Sequence, residues 1–90
     1  MKDDRTAEQR VVDNGYEGVV IFSDFGYDSA LSGVSTDDRA IYDYDLMVAW
    51  LMDNEDMSYT DAVELIDFNT IRALPYAGEG GPIILYRLNE

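Results

Sequence analysis

Six aspartates fall between positions 24 and 45, namely Asp24, Asp28, Asp37, Asp38, Asp43 and Asp45, against one base, Arg39. Carboxylates at that density can ligate a hard cation, work as an acid–base pair, imitate the phosphates of a nucleic acid, or solvate a surface. Each task makes its own demand on spacing. Hydrolysis needs two acids whose surroundings push their pKa values apart. Asp43 and Asp45 would share one side of a strand, and Asp24 could join them across a sheet. Calcium needs a shell of oxygens, and neither "DFGYD" nor "STDDR" has the spacing and closing glutamate of an EF-hand loop. The chain has no histidine and no cysteine, which removes imidazole and thiolate nucleophiles and the commonest zinc ligands. The glycine-rich "GYEG" and "GEGG" lack the lysine and hydroxyl residue of a phosphate loop. The expectation is a protein without catalytic residues, metal or cofactor, and not an enzyme.

Charge points to a different use for the acids. Residues 13–67 hold fourteen acids and only Arg39, which accounts for the whole net charge of −13. Such a field repels nucleic acid and anionic membranes and attracts basic surfaces. Seven tyrosines accompany the acids, and an exposed phenol adds rigid contact area that suits arginine-rich partners. The candidate partner-binding residues are Asp37, Asp38, Asp43, Tyr44, Asp53, Glu55, Asp56, Asp61 and Glu64. The expected partner is a basic protein surface, such as that of a host nucleic-acid-binding protein, with no direct nucleic-acid or membrane contact. Self-association is a second expectation.

The elements that must position these residues can be read from local signals. Ninety residues make one domain, 1–90, with 1–14 as a short helix or flexible arm. Thr6 and Gln9 have capping-box spacing, and Asn14-Gly15 is a helix stop. "GVVIFS", residues 18–23, has the composition of a buried strand. "STDDR" reads as a turn joining "ALSGV" to "AIYDY" in a hairpin. Asp45 is placed to cap a helix through "LMVAWLMDN", with Met47, Trp50 and Leu51 on its apolar stripe. Ser58 and Asp61 make a second cap for "YTDAVELIDF", where Tyr59, Ala62, Val63 and Ile66 recur at helical spacing. "NTIRALPYAGEGGP" reads as neither helix nor strand. "IILYRL", residues 83–88, is a strand whose Ile84, Tyr86 and Leu88 form the core face. The predicted fold class is α+β, a small mainly antiparallel sheet of three or four strands with two helices on one face. "MKDDRTAEQRVVDNG" lacks the apolar core of a signal peptide, so the cytoplasm is the expected location.

The segments "AIYDYDLMVAWL" and "IDFNTIRALPYAGEGGPIILYRL" resemble those of short, acidic proteins carried by phages and prophages of Gram-positive bacteria. The resemblance covers most of residues 16–88 and rests mainly on "NTIRALPY"; it transfers no functional residue. It implies an inhibitor of host defence or regulation that masks a nucleic-acid channel as DNA mimics do. Two other readings stand beside this one. The first is a small structural or assembly protein that self-associates through a strand edge; the second is a carboxylate-dependent hydrolase.

Overall fold

The structure, a computed structural model, describes residues 5–22 and 25–88. Helix α1 (Ala7–Asp13) starts where the Thr6 side chain accepts a hydrogen bond from the Gln9 N–H. It stops at Asn14, ahead of Gly15 with φ of 87°. Its Ala7 and Val11 reach the core, so the first described residues are a docked helix. Strands β1 (Leu31–Val34) and β2 (Ala40–Asp43) form the expected antiparallel hairpin. Its turn is closed by Ser35, whose N–H donates to the Arg39 carbonyl and whose hydroxyl accepts from the Arg39 N–H. Asp38 takes the left-handed conformation there, φ 60°, which aspartate adopts more readily than most residues.

Helix α2 (Tyr44–Asn54) follows β2 without a linker, and α3 (Tyr59–Leu65) follows a short connection. Asp43, rather than Asp45, caps α2: its Oδ1 accepts from the Leu46 N–H at 3.2 Å. The strand delivers Asp43 in an extended conformation, as an N-cap requires, and leaves Asp45 inside the first turn. Ser58 caps α3 through the Asp61 N–H, as its spacing predicts. Beyond Leu65 the helix widens into a π-helical segment, Ile66–Ile71. Ile66 and Ile71 are five positions apart, the interval of a π turn. The wider turn lets both side chains reach the core while Asp67 and Phe68 stay exposed. A 3-10 turn, Leu74–Ala77, then leads to β3 (Ile83–Leu85).

Among the described residues the fold is α+β, with a mixed three-stranded sheet in the order β1-β2-β3 and three helices, α1 in addition to the two expected on the sheet. β3 pairs with β2 in parallel, in the register Ile41↔Ile83, Tyr42↔Ile84 and Asp43↔Leu85. A parallel neighbour needs a long crossover, and α2, α3 and the π segment supply it. Two apolar runs depart from the reading of their composition. Val19–Phe22 joins no strand; Val19, Ile21 and Phe22 pack on the core, and the Phe22 N–H meets the Tyr42 hydroxyl at 3.4 Å. The run is buried by contact with side chains rather than by ladder pairing. "IILYRL" pairs with β2 over Ile83–Leu85 alone; of its expected core face Ile84 packs on the core, whereas Tyr86 and Leu88 are exposed.

The core centres on Tyr27, Tyr42, Met47, Leu51 and Ile66, all fully buried. Phe22 lies 4.7 Å from Tyr42 between ring centroids, and Tyr27 lies 5.5 Å from Trp50. Each such aromatic pair adds about 0.5–1.5 kcal/mol beyond its area burial. Tyr42 therefore serves the interior, and burial pushes its phenol up to about 12. Among the described residues, no helix is long and apolar enough to cross a membrane.

Candidate functional site

Two of the nine candidate residues are set apart by burial. Asp43 is the one buried charged residue among those described, 4% exposed. Its Oδ1 caps α2 and its Oδ2 accepts from Arg87 Nε at 2.6 Å. Tyr44, half-buried, begins α2 and donates its hydroxyl to Asp67 Oδ1 at 3.0 Å.

The other seven are exposed and lie in three places. Asp37 and Asp38 occupy the hairpin turn. The Ser35 hydroxyl donates to Asp37, and this bond, more than the Arg39 guanidinium 4.0 Å away, holds its carboxyl below the usual range. Asp53, Glu55 and Asp56 gather at the C-terminal end of α2, where Asp56 is left-handed at φ 55°. Asp61 and Glu64 lie on the exposed side of α3.

The acids at the end of α2 stand where the helix does not favour them. The last turn carries the negative end of the helix dipole, and it contains no basic residue. An acid there costs about 0.3–1 kcal/mol by the dipole rule, lessened by exposure and salt. Asp61 is the opposite case, since it sits in the first turn of α3.

Between positions 44 and 71 there are seven acids, Asp45, Asp53, Glu55, Asp56, Asp61, Glu64 and Asp67, and no lysine or arginine. All seven are exposed. The two arginines that follow this stretch are engaged: Arg87 on Asp43, and Arg72 with its guanidinium carbon 5.3 Å from the centre of the Phe68 ring.

Two aromatic residues that sequence spacing placed in the core are exposed instead and lie beside Tyr44. Tyr86 packs its ring on Tyr44, 5.1 Å between centroids and inclined by 35°, and remains 61% exposed. Tyr59, the first residue of α3, is 63% exposed. The Tyr44 phenol is pushed up to about 12, by desolvation first, then by Asp67, Tyr86 and Tyr59. It is therefore a hydrogen-bond donor throughout the neutral range. Sequence reasoning did not name Asp67 or Tyr86 among the contact residues, and no local signal joins positions 44, 67 and 86.

A separate cavity of about 500 Å³ opens between Phe22, Phe25, Tyr27, Leu65, Thr70 and Leu74. Its lining is mainly apolar, and the Tyr27 and Thr70 hydroxyls lie 3.3 Å apart at its wall. Of the hydrolase carboxylates, Asp43 is buried with both oxygens bonded, Asp45 is in the exposed first turn of α2, and Asp24 lies outside the described residues. Among the described residues no group of three or more acids converges closely enough to hold a metal ion. No protein-family model, curated protein or solved structure matches this chain.

Proposed function

We propose that this chain is a non-enzymatic binding protein whose acidic face docks on a basic surface of another protein. The carrying observation is the α2–α3 stretch: seven exposed carboxylates with no lysine or arginine between positions 44 and 71. Solubility alone does not require acids against the dipole at the end of α2. A docking surface does use them there, because an uncompensated cluster at a helix junction projects a field that a basic partner neutralises. With the resemblance to small phage and prophage proteins, the reading extends to an inhibitor that masks a nucleic-acid-binding surface in the host cytoplasm.

The test is displacement of a labelled DNA duplex from basic nucleic-acid-binding proteins, followed at low and at moderate salt. Displacement that weakens as salt rises is the expected result, because screening shortens the reach of exposed charges. Failure to displace DNA from any protein tried at low salt removes the masking function.

A second reading, self-association, has its own observation. β3 is an edge strand, and Leu85, Tyr86 and Leu88 around it are exposed. Open edges with apolar side chains template pairing. Light scattering over a concentration series decides the matter, and a constant monomer mass rejects it.

A further inference from the structure

We propose that Tyr44, Tyr86 and Asp67 form a recognition site for the guanidinium group of an arginine side chain on the partner protein. The inference rests on the acidic-docking reading and gives it a specific contact. Three separate elements build the site: the start of α2, the π-helical segment and the chain just beyond β3.

The Tyr44 hydroxyl occupies one side of Asp67 Oδ1 and so fixes the orientation of the carboxylate. A carboxylate has lone pairs for several donors, and one bond leaves it able to accept more. Tyr44 also props the Tyr86 ring beside it, 5.1 Å away, while that ring stays 61% exposed. The site thus combines a supported aromatic face with an oriented anion. A guanidinium is planar, stacks flat on an aromatic ring and donates paired N–H groups to a carboxylate. An ammonium satisfies the charge but cannot stack in this way. Charge complementarity favours a cation, since the stretch from 44 to 71 that supplies Tyr44 and Asp67 carries seven exposed acids and no lysine or arginine.

The two arginines that follow this stretch have other engagements. Arg87, adjacent to Tyr86, bonds to buried Asp43. Arg72 stands over Phe68 at 5.3 Å, an internal instance of the contact proposed for the partner.

The test compares an oligo-arginine with an oligo-lysine peptide of equal length, titrated calorimetrically at low salt. The wild-type protein should bind the arginine peptide about two- to five-fold more tightly, the gain of an exposed cation–π contact. Tyr86→Ala should abolish that preference and leave the lysine-peptide affinity unchanged. Tyr86→Phe keeps the ring and should restore the preference. Asp53→Asn, at the far end of α2, should weaken both peptides alike. Tyr86 is exposed, so the circular dichroism of the Ala variant should match wild type. A preference that persists in Tyr86→Ala, or equal binding of both peptides by wild type, overturns the guanidinium site and leaves acidic docking standing. Binding of neither peptide overturns both.

Discussion

Arg87 Nε donates to Asp43 Oδ2 at 2.6 Å, which ties the chain beyond β3 to the last residue of β2. The same aspartate caps α2 with its other oxygen. One carboxylate thus fixes the C-terminal segment, the sheet and the helix that begins the acidic face. Asp43→Ala should destabilise the fold by about 2–4 kcal/mol, combining a lost cap with a lost charge-assisted bond. Arg87→Ala should cost less, about 1–3 kcal/mol, because it leaves the buried Asp43 carboxylate without its charged donor but keeps the helix cap. Urea unfolding measures both, and equal losses would contradict the dual role of Asp43.

Ser58 is the cap on which the second acidic helix depends. Its Oγ accepts from the Asp61 N–H at 3.1 Å, so Ser58→Ala should lower stability by about 1 kcal/mol. Ser58→Asp should restore most of it, as an acid also suits the helix N-terminus. Thermal denaturation of the three proteins provides the comparison.

The exposed acids should make folding stability depend on salt. Repulsion among them is screened once the Debye length falls below their spacing, at about 8 Å in 0.15 M salt. The melting temperature should therefore rise with sodium chloride from low to physiological ionic strength. Asp53→Asn combined with Asp56→Asn should flatten that rise by removing acids from the end of α2. A melting temperature independent of salt would show that the face carries little repulsion.

Tyr42 gives an alkaline limit. Its folded pKa is raised from 10.0 to about 12, chiefly by burial. Above the unfolded value the unfolded chain has lost its proton while the folded chain retains it, so raising the pH favours unfolding. The Tyr42 contribution is fully present below pH 10.0 and is lost as pH rises through about 12. Tyr44 adds in the same direction, less strongly because it is partly exposed. Tyrosinate absorbance should lag behind that of exposed phenols and then rise together with the loss of structure. Tyr42→Phe should shift the alkaline transition upward, after correction for its neutral-pH stability.

Several parts of this protein were legible in its residues because the interactions concerned span only a few positions. Thr6 with Gln9 and Ser58 with Asp61 cap helices across single turns, and the Ser35–Arg39 turn closes a hairpin between adjacent apolar runs. The charge of the 44–71 stretch likewise follows from composition, and helices expose such residues almost wherever they pack. Tertiary structure decided whatever required distant segments to meet. Val19–Phe22 and Ile83–Leu85 are both apolar, but only the second pairs with β2; hydrophobicity specifies burial and does not choose a partner. The parallel placement of β3 depends on the path of two helices and a π turn, which a strand pattern does not contain. That path also turns Asp43 inward while it brings Asp67 and Tyr86 to Tyr44. Side-chain type offered the carboxylates and phenols, and chain closure over tens of residues selected which of them meet.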